Sequence, residues 1–160
     1  MEFKYYNRTI EQKGIELSQH YPVVVLSGPR QYGKSTLVKQ LFSSYKYVNL
    51  ERIDDRLFAE QDPRAFLEQF KSAVIIDEIQ YVPKLFSYIQ AEVDEKSAAA
   101  GQFILTGSCS LSILSCTAQS LAGRAAIFEL LPLTQDEIRQ NLIEQSLEQL
   151  ISMSDMFLTN

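Results

Sequence analysis

The chain has little of several things. Among its 160 residues there is one histidine, His20, and two cysteines, Cys109 and Cys116. The cysteines are not spaced C-x-x-C, and a single imidazole cannot complete a zinc set with them. Both thiols are expected as reduced, buried or half-buried side chains. Net charge is −5 and the Lys and Arg residues are scattered. That excludes a chain that coats nucleic acid unaided, because such binding is driven by clustered cations releasing counterions. No segment approaches the ~18 consecutive apolar residues of a membrane helix. Met1-Glu2-Phe3-Lys4 has no apolar stretch behind it to act as a signal peptide. No repeat, low-complexity tract or obvious linker interrupts the sequence. These absences predict a cytoplasmic protein with no membrane partner. A hydrophobic content of 46% suffices for one α/β domain burying about 70% of its unfolded surface.

What is present is concentrated between Val23 and Leu37. A β-branched apolar run, Val23-Val24-Val25-Leu26, leads into Gly28-Pro29-Arg30-Gln31-Tyr32-Gly33-Lys34-Ser35-Thr36 and then into helix-favouring sequence. Gly28 to Ser35 fits G-x-x-x-x-G-K-[ST], the P-loop or Walker A pattern. Gly28 and Gly33 let the backbone take positive φ and approach phosphates, so that successive N–H groups form an anion cradle at a helix N-terminus. Lys34 would reach the β- and γ-phosphates of a nucleoside triphosphate, and the Ser35 hydroxyl would sit on Mg²⁺.

Taken in order, residues 1–20 carry a weak helical pattern with Gly14 interrupting it. Arg8 and Tyr5-Tyr6 are read either as surface packing or as contacts to an adenine. Val23 to Ser27 suits a central parallel strand, and Leu37, Val38, Leu41 and Phe42 one stripe of the first helix. Tyr47 to Leu50 is the next strand. Its charged end, Glu51 to Arg56, is read as a solvated loop, or as placing Glu51 or Asp54 toward substrate or water. Asp62-Pro63 introduces a helix over Arg64 to Phe70. Leu85 to Val93 forms a helix after Val82-Pro83, and Phe103 to Ser108 a strand ending in hydroxyls.

Ala73-Val74-Ile75-Ile76-Asp77-Glu78 is the second chemical feature, a buried strand with two carboxylates at its end, the Walker B pattern. Asp77 would hold Mg²⁺ opposite Ser35, and Glu78 would orient the water that attacks the γ-phosphate. Thr106 and Ser108 are candidates for touching the γ-phosphate or that water; Ser108 is equally an N-cap for a helix over Leu111 to Leu114. Arg124 precedes a fifth strand, Ala125 to Leu130. It is placed either to pair locally with an acid or to project toward a neighbouring subunit's γ-phosphate as an arginine finger in a homo-oligomer. Thr134 and Glu137 form a capping box at the start of the last helix.

Together G-P-R-Q-x-G-K-S, I-I-D-E-I-Q-x-V-P, F-I-L-T-G-S, S-L-A-G-R and E-L-x-P-L-T-x-x-E resemble one group of prokaryotic P-loop ATPases of the AAA superfamily. Its full-length members carry this ATPase domain before a C-terminal domain of uncharacterised function. The resemblance runs from about Pro22 to Glu137. It implies a three-layer αβα sandwich with a parallel five-stranded sheet of the additional-strand type, Phe103 to Thr106 lying between the P-loop strand and the Asp-Glu strand. It implies residues 1–21 as a helical lead-in, 22–151 as the ATPase core and 152–160 as a tail, without the lid and C-terminal domain, so that the base pocket would be open and turnover low. It also implies Lys34, Ser35, Asp77 and Glu78 as nucleotide and catalytic positions, Thr106 or Ser108 as a sensor and Arg124 as the finger. Tyr32 stands where an aliphatic residue is commoner, which would alter packing more than phosphate contacts.

The function expected from this set is Mg²⁺-dependent binding of ATP and its hydrolysis to ADP and phosphate, coupled to a conformational change. The alternative is a nucleotide-gated binding module with little hydrolysis, acting on a protein or nucleic-acid partner. Asp77-Glu78 favours the first, because a pure binder needs no residue for an attacking water. A small-molecule kinase would want a substrate-binding insertion after the second strand, and the stretch from Asp54 to Phe70 is short and acidic. No N-K-x-D base-reading motif is present, and ATP is preferred through the resemblance.

Overall fold

The computed structural model describes residues 5–96, 99–108, 115, 117 and 119–158. The elements follow in the order α1 (Glu11–His20), β1 (Val23–Gly28), α2 (Lys34–Leu41), β2 (Lys46–Asn49), α3 (Ile53–Gln61), α4 (Pro63–Glu68), β3 (Val74–Asp77), a 3₁₀ turn (Ile79–Tyr81), α5 (Leu85–Lys96), β4 (Phe103–Ser108), β5 (Ala125–Glu129) and α6 (Gln135–Leu158). The helix expected over Leu111 to Leu114 and both cysteines lie outside the described residues.

Two compact units result, Ile10–Leu131 and the described residues of Met1–Thr9 with Pro132–Asn160. In the larger unit the five strands form one sheet of order β2-β3-β4-β1-β5, every pair parallel. β1 is buried at all six positions and β3 at all four, as an unalternating apolar run requires of a strand covered on both faces. The odd-numbered side of β1 (Val23, Val25) joins Ile76, Leu105 and Leu50 in a core closed by Ala59 of α3, Phe66 and Leu67 of α4, and Leu85, Phe86 and Ile89 of α5. α1 and α2 pack on the opposite face. β4 lies between β1 and β3, the additional-strand order.

Two local expectations are corrected. Gly14 does not interrupt α1; it is buried within it. A Cβ there would press within 3.2 Å of Phe128 Cζ and 3.3 Å of Leu41 Cδ1. The residue is small because neighbours approach closely, which spacing along one helix does not reveal. The charged stretch after β2 is a loop only at Glu51 and Arg52, and from Ile53 it is helix. Arg52 precedes α3, and Asp54 and Asp55 occupy its first turn, where carboxylates offset the positive end of the helix dipole. Asp62 behaves as expected, its Oδ1 accepting from Ala65 N–H at 3.0 Å with Pro63 opening α4.

In the smaller unit the capping box predicted for Thr134 and Glu137 is present: Thr134 Oγ1 accepts from Glu137 N–H at 3.1 Å, and Glu137 Oε2 from Thr134 N–H at 2.9 Å. The same carboxylate also ties in the segment before α1. Its Oε1 accepts from Thr9 N–H at 2.9 Å, Thr9 Oγ1 at 3.0 Å and Arg8 Nε at 3.4 Å. Asn141 adds a pair of bonds to the Asn7 backbone, at 2.7 and 3.0 Å. These polar bonds hold α6 to the segment before α1. Arg8, read as surface packing or an adenine contact, is engaged with Glu137.

Burial would raise the Glu137 carboxyl, but the bonds from Thr134 and Thr9 and the Arg8 charge outweigh it and hold the group at about 2. A depressed carboxyl contributes stability that is complete above its ordinary value of 4.5 and is lost as pH falls toward about 2. Glu137→Gln is therefore expected to melt at lower temperature at neutral pH and to show a shallower loss of stability between pH 4.5 and 2. Thermal melts across that range check it; an acid limb as steep as the wild type's would exclude this carboxylate as a source.

Candidate active site

All five strands are parallel, so β1, β3 and β4 end at one edge of the sheet, and the candidate residues collect there. At the end of β1, Gly28 has φ +153° and lies against the segment after β5. A Cβ on it would stand 2.5 Å from Leu130 O. Pro29, Arg30, Gln31, Tyr32 and Gly33 are exposed. Gln31 at φ +66° and Gly33 at φ +86° bend the loop into the start of α2, and left-handed turns before a helix N-terminus are the kind of backbone whose N–H groups can cradle an anion. Lys34 is buried, and its Nζ donates to Gly28 O at 3.0 Å and Pro29 O at 2.9 Å. Ser35 is half-buried and Thr36 exposed in the first turn of α2.

Asp77 ends β3 at 1% exposure, and both of its oxygens accept from hydroxyls: Oδ1 from Thr106, Oδ2 from Tyr47 at 2.5 Å. Glu78 leaves the strand at φ +58°, ψ +47°. A left-handed glutamate costs on the order of 1–3 kcal/mol and persists only where surroundings enforce it. Enforcement is visible in its N–H, which donates to Thr106 Oγ1 at 3.2 Å, and in Gln80 Nε2, which donates to its carboxylate.

Thr106 is fully buried, and its hydroxyl links the backbone of Glu78 to the carboxylate of Asp77. Ser108, two residues on and opposite Gly28 in the β1–β4 ladder, stands half-buried at the lip of the loop. Of the two sensor candidates, one thus belongs to the buried Asp77–Glu78 group and the other to the P-loop edge. Arg30 donates from Nη2 to Tyr81 Oη at 3.0 Å and lies 3.9 Å from Glu51. Asp54 sits in the first turn of α3. Arg124 is at the amino end of β5, the opposite end of the sheet from Gly28, and grips Asp94 with Nε at 2.5 Å and Nη2 at 2.9 Å. The local pairing foreseen for it is the one observed.

Tyr47 is the site residue that sequence reasoning missed. It is paired with Ile75 in the β2–β3 ladder, two positions before the Asn49–Asp77 pair, so its ring shares the face of Asp77. Burial first, and then the bond to Asp77, push the phenol well above its ordinary value. The phenol is protonated and donates. The only sequence signal was a tyrosine at alternate spacing on a strand, which is common wherever a pleated surface is half-buried.

Among the described residues no three His, Cys, Asp or Glu side chains gather as a metal cage. One carboxylate and one hydroxyl are the donors available, Asp77 and Ser35. That set fits Mg²⁺, a hard cation that takes few protein oxygens and fills its shell with water and substrate phosphate.

A parallel β2-β3-β4-β1-β5 sheet, a glycine-bounded loop between β1 and α2, and an acidic pair leaving β3 define a P-loop nucleoside-triphosphatase fold. The family model described as AAA domain matches residues 20–139. The chain belongs to that family and is an AAA-type P-loop ATPase core. Two uncharacterised proteins, from Mycobacterium bovis and Mycobacterium tuberculosis, are each 34% identical over 120 residues, covering 73% of this chain and 26% of theirs. The chain thus spans well under half the length of these relatives. Among solved structures, a Walker-type ATPase of Pyrococcus abyssi is similar at TM-score 0.55 and 18% identity, covering 83% of this chain and 55% of its own. A Thermotoga maritima RuvB variant is similar at TM-score 0.56 and 19% identity, covering 84% and 49%. At such identities the likeness is one of fold. No described helix is long and apolar enough to cross a membrane.

Proposed function

We propose that this chain binds ATP with Mg²⁺ and hydrolyses it to ADP and phosphate, coupling hydrolysis to a change of conformation or partner. The observation that carries the reading is the hydrogen-bonded group of Asp77, Glu78 and Thr106, buried at the sheet edge where the P-loop also emerges. In this mechanism the loop N–H groups and the N-terminus of α2 take the phosphates. Lys34 exchanges the carbonyls of Gly28 and Pro29 for the β- and γ-phosphate oxygens. Ser35 and Asp77 would hold Mg²⁺, which when bound neutralises charge on those oxygens. Glu78, held in its left-handed turn, orients the attacking water and accepts its proton as the γ-phosphoryl group leaves for that oxygen. Ser108 contacts the γ-phosphate in this reading, and Thr106 relays its presence between Asp77 and Glu78, which its hydroxyl bonds. The cytoplasm, where ATP and Mg²⁺ are supplied, is the location this reading entails.

A second reading, the nucleotide-gated switch, is favoured by one contact: Gln80 holds the Glu78 carboxylate, and hydrolysis requires that hold to yield. Arg124 bears on the choice as well. As a finger in a homo-oligomer it must release Asp94 to reach a neighbour's nucleotide. Steady-state phosphate release with ATP and Mg²⁺, measured across protein concentration, decides between the readings. Turnover per subunit is expected to rise with concentration, to disappear in Arg124→Ala and to survive in Asp94→Ala. Nucleotide bound without turnover at any concentration would make the protein a switch.

A further inference from the structure

We propose that Tyr47 is a positioning residue for the divalent cation, fixing the Asp77 carboxylate in the orientation a Mg²⁺–nucleotide needs. The proposal deepens the reading above and rests on its assignment of Ser35 and Asp77. Tyr47 Oη donates to Asp77 Oδ2 at 2.5 Å. One phenol on β2 therefore orients the carboxylate at the end of β3.

The ring itself is constrained from two sides. The β2–β3 register sets its backbone beside Ile75, and Lys39 of α2 places Nζ 3.8 Å from its centroid. With Thr106 on the other Asp77 oxygen, the carboxylate has both oxygens engaged by hydroxyl donors and cannot rotate freely. A small cation that insists on near-octahedral geometry rewards such an arrangement, since free donors would lose rotational entropy on binding it. Partners outside the coordination shell that orient a ligand in this way typically matter 10–100-fold in metal affinity.

The test is a titration of the protein with a fluorescent ADP analogue in excess Mg²⁺ and again in EDTA, for wild type and Tyr47→Phe. The variant retains the ring, its β2 position and the contact with Lys39, and removes only the hydroxyl. Wild type is expected to bind more tightly with Mg²⁺ than without. Tyr47→Phe is expected to bind as wild type in EDTA and to lose about 10–100-fold of affinity in Mg²⁺. A residue that only packs would weaken both titrations alike, so the ratio between them is the readout. Lys39→Met, which keeps the hydroxyl, is expected to preserve the wild-type ratio. An unchanged ratio in Tyr47→Phe overturns the proposal. A Mg²⁺ affinity that rises overturns it too, showing that the hydroxyl blocks the cation. Wild-type binding that gains nothing from Mg²⁺ overturns the assignment of Ser35 and Asp77 and the proposal with it.

Discussion

Glu78→Gln is expected to bind ATP as the wild type does and to release phosphate about 10²- to 10⁴-fold more slowly, the range a positioned general base contributes. The substitution keeps the shape, the left-handed turn and a partner for Gln80, while removing the charge that polarises a water and the lone pair that takes its proton. Both contacts that enforce the turn can survive: the Glu78 N–H still donates to Thr106 Oγ1, and a glutamine carbonyl can still accept from Gln80 Nε2. The melting temperature is therefore expected to stay near wild type. Phosphate release and nucleotide binding, measured on the same preparation, separate chemistry from affinity. Turnover comparable to wild type would remove Glu78 from the mechanism and leave the AAA fold without a named base.

Gly28→Ala carries the second large effect, on both stability and nucleotide binding. The added methyl would meet Leu130 O at 2.5 Å. That oxygen is backbone, and its residue is pinned by Leu130 N–H donating to Ser27 O at 2.8 Å, so neither side can yield cheaply. Crowding of this kind costs about 1–3 kcal/mol, or roughly 2–4 °C of melting temperature per kcal/mol in a chain of this size. Relief would come from shifting the loop and would spoil the cradle of N–H groups. Gly33→Ala is the comparison, because its Cβ would meet nothing within 4 Å and it bears only the strain of its positive φ. Gly28→Ala should melt lower than Gly33→Ala and bind nucleotide more weakly than wild type. Equal melting of the two variants would show that the Leu130 contact is soft.

The two effects have a common origin in the parallel sheet. Placing β4 between β1 and β3 brings the end of the P-loop strand and the end of the Asp-Glu strand to opposite sides of Thr106. Thr106 then couples the proposed cation ligand to the proposed base through one hydroxyl. Because one hydroxyl bonds both residues, a movement of Asp77 would be passed to the backbone of Glu78.

Much of this was legible along the chain. The P-loop, the buried strand ending in Asp77-Glu78, the Asp62-Pro63 helix start and the Thr134–Glu137 capping box are local patterns, and each formed where its spacing placed it. They are legible because their physics is local: turn conformations, caps and apolar runs depend on residues a few positions apart. The buried helix glycine, the polar tie from Asn7 and Thr9 to α6, the Asp94 partner of Arg124 and the role of Tyr47 were not. Each depends on which residues other elements bring alongside. Sequence alone determined that the chain is an α/β P-loop protein with an acidic pair able to serve a phosphate site. Only the tertiary structure decided which hydroxyls orient that pair, because strand order and register, set by how the whole sheet buries its two faces, choose the neighbours.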